Sequence, residues 1–487
     1  MTVPDPISDR LNGSLPITSA AEAAATIADD ATVLTSGFGS VGYPKAVPLA
    51  LAESNRDLAL TLVSSGTAGE EIEVDLVEAG ALDRRFAFQS SAVAKRASND
   101  RSIAFSDRHV SGIGDEVQFG RLADPDVAVV EAVAVGEDWF VPSTSLGQTP
   151  AFVEATPELV IEVNHAQPLE LAAIHDVYRP GAPPDRGPIP VESAGDRVGE
   201  SVVRFDPETL RAVVETDRPL STYTLREPTA VDQAIAANLR DFLAAEIERS
   251  PAFTDALHLQ FGVGSVGNAL MGAIGDLDVG DRELVYFGEV VQDGLLDLLD
   301  AGHLSAASAT SLALTEDGQQ RLFADIERYA EDIVLRPTDV SNHPGLIDRF
   351  GVVGINSAVE VDLFGNVNST HIESTRVVRG VGGSGDFFRN ALVSVCALPS
   401  KLSGKNVSRV VPMTFHVDHT EHDVDVFVTE QGVADVPGLA PVERAERIDE
   451  QCAHPDYKPE LREYLEEVTQ QHGHAPLDIE RAADWQS

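Results

Sequence analysis

The chain has 487 residues, 43% hydrophobic and 23% charged, too many for one core and with apolar material enough for two. Its net charge of −44, from 35 basic against 79 acidic residues, excludes nucleic acid as a partner, because binding phosphates needs a basic face. Two cysteines, Cys396 and Cys452, build neither a disulfide framework nor a zinc site. No stretch approaches the ~20 apolar residues of a membrane span, and MTVPDPISDR lacks the features of a secretory signal, so the cytoplasm is the expected compartment. The acids are spread along the chain and the only lysines are Lys45, Lys95, Lys401, Lys405 and Lys458. Such a charge repels itself in dilute buffer and is screened at molar salt, where the Debye length falls to roughly 3 Å; a halophilic cytosol is expected.

In chain order, Ala31–Thr35 reads as a strand, followed by the turn Gly37-Phe38-Gly39-Ser40-Val41-Gly42 and a helix with Pro44 near its start. Arg179–Pro190, rich in proline and glycine, tolerates neither helix nor strand and reads as an exposed loop. Glu215–Ala230 reads as a linker and Val231–Ile247 as the first helix beyond it. A second strand, Ala256–Phe261, leads into Gly262-Val263-Gly264-Ser265-Val266-Gly267 and a helix over NALMGAI. The shared GxGSVG turn, set each time between strand and helix, implies two related α/β halves with parallel sheets, divided into residues 1–222 and 223–487. The tail from Pro455 to Ser487, helical around Leu461–Val468, is expected to pack on the second half.

Leu284–Phe287 reads as a buried strand, and Glu289 follows it after Gly288. Ligands of open α/β sheets lie beyond the carboxyl ends of the strands, and a carboxylate flanked by Phe287, Val290 and Val291 is partly desolvated, hence a better nucleophile. In VRGVGGSGDFFRN (378–390), Gly380, Gly382, Gly383 and Gly385 let the backbone approach a ligand and present N–H groups to an oxyanion or phosphate. His416, His419 and His422 invite a metal reading, but i, i+3, i+6 spacing keeps three side chains on one face of neither helix nor strand; no metal is expected. A dinucleotide site is the rival reading: both turns fit GxGxxG, and Glu289 lies 22 residues beyond Gly267, near the spacing of a ribose-binding acid. It leaves the glycine loop without a task.

SGFGSVGYPKAVPLAL (36–51), GINSAVEVDLFGNVNSTH (354–371), GVGGSGDFFRN (380–390) and HVDHTEHDVDVFVTEQGVADVPGL (416–439) resemble the signature blocks of the acetyl-CoA hydrolase/transferase family, over nearly the whole chain. The resemblance implies two tandem Rossmann-like α/β domains of the class I CoA-transferase type, with the active site between them. It implies that Glu289 is the catalytic glutamate, that Gly264, Ser265, Val266, Gly267 and Asn268 bind coenzyme A, and that Gly383 contacts it too. Relatives commonly carry Asn where this chain has Arg379, which would give a phosphate or carboxyl contact a charge-assisted form. A CoA-contacting lysine is expected near Ser403, which Lys401 and Lys405 flank. The implied reaction moves CoA between a short-chain acyl-CoA (acetyl, propionyl or succinyl) and a carboxylic acid through a glutamyl-CoA thioester. Water in place of the acid gives a hydrolase. Coenzyme A is then substrate and covalent intermediate, with no permanently bound cofactor, and the expected assembly is a homodimer.

Overall fold

The computed structural model describes residues 7–219, 227–402 and 404–485. The 222/223 boundary, the middle of the linker and Ser403 lie outside the described residues. By packing, the chain divides into unit 1 (Met1–Thr224, Tyr286–Leu299 and Ser305–Leu346) and unit 2 (Leu225–Val285, Asp300–Leu304 and Ile347–Ser487). Two segments of the second half of the sequence therefore belong to unit 1, and one of them carries Glu289.

Unit 1 is built on a sheet of β1 (Thr32–Thr35), β2 (Leu60–Ser64), β3 (Leu82–Ala87), β4 (Ala104–Asp107), β5 (Val127–Val135), β6 (Trp139–Pro142), β7 (Leu159–Asn164), β8 (Val203–Arg204) and β9 (Leu210–Thr216). The run β4-β3-β2-β1-β5-β7-β9 is parallel throughout, and β6 and β8 extend it antiparallel. Every residue of β5 and β7 is buried, as expected of strands covered on both faces. The first glycine turn leads from β1 into the helix Ala46–Ala52. Lys45 at that junction is 1% exposed and bonds Glu131 at 2.6 Å, so this lysine belongs to the core. Unit 1 also holds the parallel pairs Ala306–Ala309 with Ile333–Leu335 and Val290–Val291 with Ser311–Leu312.

Unit 2 repeats the theme. Ala256–Phe261 pairs in parallel with Val353–Asn356, which pairs with Val393–Ala397 and that with Val426–Thr429; Gly432–Asp435 closes the edge as a hairpin. Thr229 starts the helix Ala230–Arg249 with a capping box to Asp232. The tail supplies the helices Pro441–Cys452, Lys458–Thr469 and Ile479–Trp485, and Leu461, Tyr464, Leu465 and Val468 bury their apolar faces in this unit's core. Among the described residues, no helix is long and apolar enough to cross a membrane.

Candidate active site

In unit 1, Glu289 stands two residues beyond the strand Glu283–Phe287, with Phe287, Val290 and Val291 buried around its partly exposed side chain. Its carbonyl accepts the N–H groups of Thr310 and Ser311 at 2.9 and 3.0 Å, which fixes the backbone at the carboxylate. Asn342 Nδ2 donates to Glu289 Oε1 at 3.0 Å. The amide cannot turn freely, because Asn342 Oδ1 accepts the Ser341 hydroxyl at 2.9 Å and Asn342 is fully buried. Burial, reinforced by the Glu289 charge, pushes the Tyr286 phenol above its ordinary range, so it stays protonated beside the carboxylate.

The first glycine turn belongs to the same neighbourhood. Phe38 and Val110 cluster with Val290 and Ala313, and a Cβ on Gly39 would sit 3.4 Å from Ser311 Oγ and 3.9 Å from Val290 Cγ2. Gly42 has φ 65° and lies so close to Ser145 that a Cβ would fall 2.3 Å from its Oγ, so no side chain fits there. This turn thus walls the Glu289 region of unit 1, a role that its local pattern does not reveal.

In unit 2 a cavity of about 380 Å³ is lined by the second turn, Gly262 to Gly267, together with Asn356, Val378, Arg379 and Arg409. The helix Ser265–Ile274 begins at this wall after Gly264, Ser265 Oγ donates to Asp232 Oδ1 at 3.2 Å, and the positive end of the helix dipole faces this region. A Cβ on Gly267 would meet Gly262 O at 2.5 Å, so the tight turn demands glycine. Asn268 Oδ1 is buried without a hydrogen-bond partner. Arg379 donates to the carbonyls of Ser369 and Ser357 at 2.8 and 3.2 Å, and Arg409 Nε to that of Val359 at 2.7 Å. Burial lowers the pKa of both, that of Arg409 to about 10 with Arg379 adding repulsion, yet both remain charged at neutral pH. Arg409 also lines a neighbouring cavity of about 700 Å³ with Lys401 and Lys405, where Lys401 bonds Asp456 at 2.8 Å. Four cationic groups therefore border two adjoining cavities of a chain whose net charge is −44.

Gly380, Gly382, Gly383 and Gly385 are buried, and Gly383 leads into the helix Ser384–Asn390. The histidines go to separate tasks: His416 bonds Thr370 and Asp418, His419 is buried against Ser384, and His422 is exposed. Asn342 and Arg409 escaped the sequence reading. Asn342 lies in an ordinary Ser-Asn-His-Pro-Gly turn, and Arg409 is one arginine among many.

The chain belongs to the acetyl-CoA hydrolase/transferase family, matching its N-terminal domain over residues 15–215 and its C-terminal domain over residues 318–465. It is 40% identical to the succinyl-CoA:acetate CoA-transferase of Clostridium kluyveri over 96% of this chain and 88% of that one. It is 38% identical to the propanoyl-CoA:succinate CoA transferase of Escherichia coli, covering 94% and 95%, and 37% identical to the acetyl-CoA hydrolase of Saccharomyces cerevisiae, covering 88% and 85%. The fold is shared with a 4-hydroxybutyrate CoA-transferase from Porphyromonas gingivalis (TM-score 0.62, 20% identity, 93% of this chain and 97% of that one). RipA from Yersinia pestis shares it too (TM-score 0.70, 22% identity, 94% and 98%). The protein is an enzyme of the CoA-transferase and acetyl-CoA hydrolase type. The dinucleotide reading gives way to this family match, since the relatives over nearly the whole chain are CoA-transferases and acetyl-CoA hydrolases.

Proposed function

We propose that the protein transfers CoA between a short-chain acyl-CoA and a carboxylic acid, with Glu289 as nucleophile and a glutamyl-CoA thioester as intermediate. The observation that carries this reading is the Glu289 carboxylate held at a strand end by the Asn342 amide. Glu289 attacks the thioester carbonyl, the C–S bond breaks, and a mixed anhydride and CoA thiolate result. The thiolate then attacks the glutamyl carbonyl and expels the first acid, leaving the enzyme as a thioester. An acceptor carboxylate reverses both steps and leaves as a new acyl-CoA. The sequence balances without redox chemistry, and coenzyme A enters as substrate. Whenever the glutamyl carbonyl is attacked, its oxygen becomes an oxyanion, and Asn342 Nδ2 is aimed at that oxygen; a donor so placed contributes about 3 kcal/mol.

Gly264, Ser265, Val266, Gly267 and Asn268, with Arg379, are assigned to CoA, supported by the cavity that the turn and Arg379 line and by the buried, unpartnered Asn268 oxygen. Arg409 joins them, and Lys401 and Lys405 are assigned to the phosphates. Gly380, Gly382, Gly383 and Gly385 remain candidates for backbone contacts to CoA and oxyanion. Acetate metabolism in a salt-rich cytoplasm, as a homodimer, completes the reading, the salt resting on the −44 charge. Hydrolysis of acetyl-CoA is the second reading, supported by the relatives so named. It differs only in that water discharges the thioester.

The test is to incubate the enzyme with acyl-CoA alone, treat it with borohydride, and map the product by peptide mass. Reduction to an alcohol at Glu289, prevented by prior addition of acceptor acid, is expected. An unmodified Glu289 together with near-native turnover of Glu289→Ala would refute the assignment. CoA release with and without a panel of carboxylate acceptors separates transfer from hydrolysis.

A further inference from the structure

Asn342 ends the short helix Thr338–Ser341, and two anchors place that helix. Thr338 donates both its N–H, at 2.9 Å, and its hydroxyl, at 3.2 Å, to Gly147 O. Gly147 N–H in turn donates to Thr310 Oγ1 at 2.9 Å, and Thr310 N–H holds the Glu289 carbonyl. The second anchor is Asp339, whose side chain is 8% exposed and is met by the Arg179 guanidinium. Arg179 opens the proline-rich loop; the same guanidinium donates to Glu154 Oε2 at 3.0 and 3.2 Å and to Gln118 Oε1 at 3.2 Å. Arg186, further along the loop, bonds Asp115 in a two-pronged pair at 2.7 and 2.9 Å. The loop is thus tied at two arginines to the helices Ile113–Gln118 and Thr149–Ala155 and to the segment bearing Asn342.

Burial, with repulsion from Asp115 and Glu154, drives the Asp339 carboxyl upward, and Arg179 opposes the shift. Asp339 is therefore an acid with a largely enclosed side chain that bonds the Arg179 cation, three residues before the amide that contacts Glu289. We propose that Arg179 and Asp339 are positioning residues: their ion pair sets the Thr338–Asn342 turn so that the Asn342 amide meets the Glu289 carboxylate. The Arg179–Pro190 loop thereby acts on turnover without touching substrate.

The inference rests on the reading of Glu289 as nucleophile, and a double-mutant cycle tests it separately. Arg179→Ala is expected to lower kcat about tenfold while KM for acetyl-CoA changes less than about twofold, since a misplaced donor costs turnover and not binding. In the Asn342→Ala background the same substitution is expected to cost less than about twofold, because the group it positions is gone. Arg179→Lys, which keeps the charge, should recover part of the loss. If Arg179→Ala folds poorly, Asp339→Asn enters the cycle in its place. Equal losses in both backgrounds, or no loss in either, overturn the proposal. Glu289→Ala run alongside keeps the two readings apart: retained turnover there removes the nucleophile, whereas an inactive Glu289→Ala with an additive cycle removes only the positioning role.

Discussion

Replacing Asn342 by Ala removes one donor, the 3.0 Å contact to Glu289 Oε1, from a fully buried position. A hydrogen bond to a charged oxygen is worth about 1.5–3 kcal/mol, and at 1.36 kcal/mol per decade its loss slows a step by about 10- to 150-fold. The resting carboxylate also enjoys this contact, so the loss is not uniform across the cycle. When Glu289 attacks, its oxygens give up charge, and removing the donor partly cancels there. When thiolate or acceptor attacks the glutamyl carbonyl, charge returns to oxygen and the full loss appears. Rapid-quench measurement with acetyl-CoA and succinate should show slower formation and discharge of the glutamyl thioester, with KM for acetyl-CoA nearly unchanged. Asn342→Asp places a second carboxylate beside the first; like charge raises the pKa at which the pair is fully ionised, so the acidic limb of kcat should move to higher pH. A rise in KM with kcat intact for Asn342→Ala, and an unmoved limb for Asn342→Asp, would refute the reasoning.

Arg379→Gln and Arg409→Gln should each weaken CoA binding about tenfold by calorimetry, the lower end expected for losing a charged hydrogen bond; unchanged affinity for both would remove them from the site. The −44 charge predicts activity and melting temperature that rise towards molar KCl, and full activity in salt-free buffer would contradict it. Burial lowers the pKa of His175 to about 4 from an ordinary 6.5. A depressed histidine favours the folded state above its unfolded pKa and loses that contribution as pH falls from about 6.5 to 4, in total about 3 kcal/mol. The stability advantage of the native chain over His175→Gln should therefore shrink across that window, and a constant difference in denaturant midpoint would refute the linkage.

The sequence by itself determined the local pieces. Ala256–Phe261 forms a strand over the bounds read from its pattern, Val231–Ile247 lies within the helix Ala230–Arg249, and Glu289 follows its strand as the glycine punctuation implied. Strand periodicity, capping and turn chemistry are properties of near neighbours and are legible without a fold. Family blocks carried the function for the same reason, since each is a contiguous run of residues. Tertiary structure alone decided which pieces meet. Asn342 reaches Glu289 across 53 positions, and Arg179 reaches Asp339 across 160. The Glu289 segment packs with unit 1, although it lies well beyond the linker. Lys45, quoted with the first signature, is consumed by Glu131 in the core, whereas Arg379 and Arg409 line a cavity with backbone carbonyls as partners. Those outcomes follow from burial, which forces each polar group to find a partner wherever the packed chain presents one, and no local pattern records where that is.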